Sequence, residues 1–139
     1  MKKLLFATLA LFFSAVSYAQ IEGKWKTIDD ETGKAKSIVE IFKKSDGKYY
    51  GRISQLLITP ENENCVKCTD DRKNKPLIGL EIIRGLKKED GEFTGGTITD
   101  PKNGKTYKCT VTPAGDKLDV RGYIGISLIG RSQTWYKVK

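Results

Sequence analysis

The chain has 139 residues, a formal charge of +8, 25 lysines and arginines against 17 acids, and no histidine. That length suits one domain with a core of its own. Without histidine there are no Ser-His or Cys-His nucleophile pairs and none of the commonest catalytic zinc sets, so any chemistry would fall to carboxylates, lysines or thiols. The lysines are spread along the chain rather than blocked together. This suits a solvated basic surface, or contact with an anionic envelope component, better than nucleic acid.

Met1-Lys2-Lys3, the uncharged apolar run Leu4 to Val16 and the small-x-small ending Ser17-Tyr18-Ala19 form the pattern of a secretory leader. The run is too short to span a bilayer as a helix. Residues 1–19 are therefore expected to be removed, leaving 20–139 as an exported domain, periplasmic or extracellular. Gln20, not a cysteine, comes directly after Ala19, so no lipid anchor is expected, and nothing later is apolar enough for an integral membrane helix.

Turn signals then recur at Glu31-Thr32-Gly33, Asp46-Gly47, Asp90-Gly91, Asn103-Gly104 and Gly115-Asp116. Between them, β-branched and aromatic residues alternate with polar ones. Eight strands are predicted: 23–29, 36–43, 49–59, 77–86, 92–100, 105–112, 117–123 and 132–138. The long connection from Pro60 to Pro76 carries two cysteines, and 125–130 has room for a short helical turn. Hairpin-linked strands without crossover helices predict an all-β antiparallel meander. Closing the eighth strand on the first removes both edges and gives a barrel wide enough for side chains or one small ligand. A two-sheet sandwich is the alternative.

Alternation places Tyr49, Gly51, Ile53 and Leu57 on one face of the third strand, and Ile78, Leu80 and Ile82 on one face of the fourth. Tyr107, Cys109 and Val111 share a face of the sixth strand; Leu118, Val120 and Gly122 share one of the seventh. The fifth, with Gly95, Gly96, Thr97 and Thr99, either lines a polar part of the interior or packs weakly as an edge.

Cys65-Val66-Lys67-Cys68 is the sharpest local motif. An oxidising compartment favours a disulfide between Cys65 and Cys68. A redox site and a metal site are the other readings, but Asp70 and Asp71 disfavour a thiolate and four metal ligands are lacking. Cys109 is expected to be a small buried residue, though pairing with Cys65 or Cys68 stays open. The acidic groups Asp29-Asp30-Glu31 and Asp70-Asp71 suit turn hydrogen bonding better than calcium, which wants spaced oxygen ligands. No metal or cofactor is expected.

Gly23-Lys24-Trp25 resembles the opening of lipocalin-type barrels, where the Trp plugs one end. Antiparallel closure then brings Trp25 near Trp135, with Lys137 or Lys139 as the covering base and Arg131 towards the other end. Taken together the motifs resemble an uncharacterised bacterial family, domain of unknown function 2147. The resemblance runs through Gly23–Asp30, Cys65 and Cys68, Lys75–Gly79, Gly95–Pro101, Asn103–Tyr107, Leu118–Tyr123 and Gly130–Trp135. It implies a small exported β protein and supplies no activity or ligand.

The expected function is a non-catalytic, monomeric barrel holding a small apolar or amphipathic molecule. Tyr49, Ile53, Leu80, Tyr107 and Val111 are candidate walls, and Arg52, Arg121 or Arg131 would meet an anionic head. The alternatives are an envelope interaction protein without a small ligand, using Tyr50, Tyr123 or the cysteine loop, and a thiol-disulfide or other enzyme.

Overall fold

The computed structural model describes residues 20–125 and 130–139. The leader and most of the expected turn within 125–130 lie outside them. Eight strands follow in chain order: β1 (Gly23–Ile28), β2 (Ala35–Lys43), β3 (Tyr49–Leu56), β4 (Glu81–Glu89), β5 (Glu92–Thr99), β6 (Thr106–Ala114), β7 (Lys117–Tyr123) and β8 (Gly130–Lys137). Each pairs antiparallel with the next, and β8 pairs with β1 through Trp25–Lys137 and Lys26–Tyr136. The sheet is a closed barrel, so the sandwich alternative is set aside.

The turns behave as their residues require. Asp90 and Gly91 link β4 to β5 with φ of 49° and 81°, the left-handed pair of a tight hairpin that matches strand twist. The closed end of the barrel is packed with Ile21, Trp25, Val39, Ile41, Leu86, Phe93, Val111 and Leu118, all buried. Trp25 donates its indole N–H to the carbonyl of Ile21 at 2.8 Å, so its one polar atom is satisfied in the core.

Two inward assignments fail, for one kind of reason. In β3, Ile53 pairs with Val39 but Gln55 pairs with Ile38, which leaves Ser54 as a bulge. The bulge shifts the alternation by one residue. Leu56 therefore packs against the core, while Leu57, predicted inward, is exposed. The segment predicted to begin the fourth strand is a turn: Gly79 has φ 88° and Leu80 N–H bonds to the carbonyl of Leu77. Ile78 is consequently exposed, and β4 starts only at Glu81.

β5 lies between β4 and β6 and is not an edge. Its Gly96 has a steric cause, because it lies directly against the β4 backbone, whereas a Cβ at Gly95 would meet nothing and Gly95 instead takes φ 75°.

The connection from Leu57 to Leu80 packs onto the barrel, and its Cys65, Cys68, Leu77 and Leu80 join the buried core. Cys65 and Cys68 form a disulfide, and both residues are buried. Arg72, also buried, binds the carboxylate of Asp70 and donates to the Glu81 carbonyl at 2.9 Å. Arg84 of β4 grips Asp71 through two bonds of 2.8 and 2.9 Å. The acidic pair predicted to serve turn chemistry thus ties the connection to β4.

Candidate functional site

The β1–β2, β3–β4 and β5–β6 connections lie at the end opposite the packed one, with Ile124 after β7 and Gly130 at the start of β8. There the barrel opens into a cavity of about 1020 Å³, at the upper limit of roughly 300–1,000 Å³ usual for small-molecule sites. Trp135 and Val120 line its deep part, with Ile53, Leu56, Ile82 and Ile98 among the apolar wall residues. Polar groups in the wall are already satisfied. The Thr27 and Ser37 hydroxyls share a 2.7 Å bond, and Gln133 accepts the Trp135 indole N–H at 3.2 Å.

The rim is charged and mixed. The β1–β2 side carries Asp29, Asp30, Glu31 and Lys36; the β3–β4 connection adds Glu61 and Lys67. The β5–β6 turn adds Asp100 and Lys102, and β8 adds Arg131. Arg131 Nη2 lies 2.8 Å from Asp30 Oδ2, which also accepts the Gln133 amide at 2.7 Å. Lys102 and Glu31 stand 3.7 Å apart. Asp29 accepts the N–H groups of Glu31 and Thr32, and these bonds hold its carboxyl below the ordinary aspartate range. Exposed Ile58, Val66 and Ile124 are interleaved with the charges.

The disulfide loop helps to form this mouth, since Val66 and Lys67 line it. The loop rests on the β5–β6 turn. A Cβ at Gly104, where φ is 74°, would stand 1.8 Å from the Lys67 carbonyl oxygen. Both the turn conformation and the close approach therefore demand glycine.

Of the residues put forward from the sequence, Ile53, Tyr107 and Arg131 line the cavity. Tyr49 and Val111 do face inward, but into the packed end; the Tyr49 ring meets Phe93 edge-on, with centroids 4.9 Å apart. Leu80 is buried under the connection and borders a separate groove of about 340 Å³ beside Arg72 and Arg84. Arg52 is on the outer face, bonded to Glu40 and stacked over Phe42. Arg121 bonds to Ser132 of the neighbouring strand. Strand alternation separates Arg52 and Arg121 from the interior, because Ile53 and Val120 beside them point inward. Tyr50 is likewise engaged on the outside, donating to Asp46 beneath Lys44, whereas Tyr123 lines the mouth.

Ile98 and Gln133 were not singled out as wall residues. Ile98 follows the inward-facing Gly96 by two positions, so its direction was available once the face of Gly96 was known. Gln133 carries no local signal, because its role depends on Asp30, far away in the chain. Among the described residues, no group of acids and cysteines is arranged to hold a metal ion. The disulfide sulfurs sit on buried residues, which withholds them from the access that thiol exchange requires. Cys109 is free and buried, and burial pushes its thiol up to about 12.

An eight-stranded antiparallel barrel with one packed end and one open, cavity-bearing end defines the lipocalin-like class. The chain belongs to the family of uncharacterised proteins conserved in bacteria, DUF2147, whose model matches residues 23–137. Among solved structures it is similar to protein HP1028 from the human pathogen Helicobacter pylori, described as belonging to the lipocalin family. That match has a TM-score of 0.75 and 20% identity, and it covers 87% of this chain and 84% of that one. At this identity the likeness is one of fold. No curated protein matches the chain.

Proposed function

We propose that this protein is an exported, non-catalytic barrel that binds one small apolar or amphipathic molecule in its cavity, as a monomer, after the leader is removed near Ala19. The supporting observation is the cavity of about 1020 Å³, floored by Trp135 and walled by aliphatic side chains. An apolar hollow open at one end gains most from a ligand with an apolar body. The leader pattern of residues 1–19 supports export, and the mixed rim accommodates a polar end at the mouth.

N-phenyl-1-naphthylamine, a neutral apolar fluorophore, tests this. Titrated into the purified protein, it is expected to give saturable one-to-one fluorescence enhancement with energy transfer from tryptophan. Filling the cavity by Ile53→Trp should weaken binding at least about tenfold, a loss of 1.4 kcal/mol. Val120→Phe supplies a second filled variant, with circular dichroism to establish that each has folded. No saturable enhancement in the parent protein, or full binding in both folded variants, would overturn the proposal.

A further inference from the structure

The charges of the mouth say what the polar end of the ligand is. This step rests on the reading of the cavity as a ligand site. Three sides of the mouth bring both signs: Asp29, Asp30 and Glu31 with Lys36 at the start of β2, Glu61 with Lys67, and Asp100 with Lys102. Arg131 adds a cation from β8, and it is already held by Asp30. The excess of lysine over the whole chain is therefore not expressed here.

A purely anionic head at Arg131 would lie beside the Asp30 carboxylate that already holds Nη2, with Asp29, Glu31 and Asp100 also in the mouth. A purely cationic head would meet Arg131, Lys102 and Lys36 in the same way. A head with both signs avoids either conflict, because its anion can take Arg131 while its cation takes Asp30. The geometry suits this exchange. Arg131 and Gln133 both bond to Oδ2 of Asp30, which leaves Oδ1 as an acceptor. The Arg131–Asp30 and Lys102–Glu31 pairs are solvent-exposed, and exposed pairs give way readily. We infer that the cavity takes a zwitterionic amphipath, with its apolar part against Trp135 and Val120 and its head between Asp30 and Arg131.

Three amphipaths with similar dodecyl chains and different heads test the inference: dodecylphosphocholine, dodecanoate and dodecyltrimethylammonium. Each is used below its micelle concentration to displace N-phenyl-1-naphthylamine. Dodecylphosphocholine is expected to bind about tenfold more tightly than either singly charged compound. Asp30→Asn should erode that advantage in favour of dodecanoate. Arg131→Gln should erode it in favour of dodecyltrimethylammonium. Both side chains are exposed, so both variants should fold, and the three heads are ranked in each variant against that variant's own fluorophore affinity. If the fluorophore binds but the three heads rank equally, or a singly charged head binds best, the inference is overturned and the cavity reading stands. If the fluorophore itself does not bind, the cavity reading fails, and this inference with it.

Discussion

At Gly96 two strands come too close for any side chain. A Cβ there would stand 2.6 Å from the Arg84 carbonyl oxygen and 2.9 Å from the Leu86 nitrogen. Backbone atoms paired in a sheet cannot turn aside as a side chain can. Gly96→Ala is expected to lose about 1–3 kcal/mol, the usual range for overpacking, read as a lower urea midpoint. Gly51→Ala, whose Cβ would meet only the side chains of Ile83 and Val39 at 3.2 Å, should lose less; equal losses would show that β4 and β5 can separate. Cys109 gives a second residue-scale test. Its burial and raised pKa predict no reaction with a disulfide reagent in the native protein and one reactive thiol after unfolding without reductant. Counting three thiols would remove the Cys65–Cys68 bond. The pH sign follows from the same shift. Above about 9 the unfolded thiol ionises while the folded one does not, so stability should fall as pH rises through that range.

The β3–β4 connection shows what can and cannot be read along one element. Its two cysteines and the turn-forming Asp70-Asp71 were visible as local patterns. Its anchors were not, because Arg84 reaches Asp71 across thirteen positions and Arg72 reaches the backbone of β4. Nor were the bulge at Ser54 and the turn at Gly79 visible, since a single inserted residue leaves hydrophobic alternation looking intact on either side. This is why Ile53 was placed correctly and Leu57, four residues on, was not. Asp70 carries the anchoring energetics. Hydrogen bonds from the Arg72 guanidinium lower its pKa well below the usual carboxylate range. A carboxyl with a depressed folded pKa adds stability above its unfolded value, near 4, and loses it as pH falls towards the folded one. Asp70→Asn should cost about 1 kcal/mol at neutral pH, because it strips a buried guanidinium of its main partner while the exposed Asp70 carboxylate is itself screened by solvent. The gap between parent and variant should close on acidification. A pH-independent gap in chemical denaturation would point instead to a packing effect. Replacing both Cys65 and Cys68 by serine should cost about 2 kcal/mol from the freed loop alone.

At the scale of the whole molecule, closure was legible because it solves an edge problem that any eight-strand meander faces. The cavity was less so, since the same inward residues line both the packed end and the open one. Tyr49 and Val111 differ from Ile53 and Tyr107 only in height along the barrel, which alternation does not encode. The seam between β1 and β8 differs along that same height. Its register runs only through Trp25–Lys137 and Lys26–Tyr136, whereas β8 pairs with β7 all the way from Tyr136 to Gly130. Towards the mouth, β8 is joined to the β1 side by the bonds of Asp30 to Gln133 and Arg131. Side-chain bonds at an exposed rim resist opening far less than a ladder backed by buried Trp25 and Trp135. Hydrogen exchange read by mass spectrometry should accordingly show peptides from Gly130–Gln133 exchanging before those covering Trp135–Lys137. Asp30→Ala should widen the difference without accelerating the closed end. Uniform exchange along β8 would mean that the seam is held as firmly at the mouth as at the floor. A molecule of the proposed kind would then have to enter through the mouth alone.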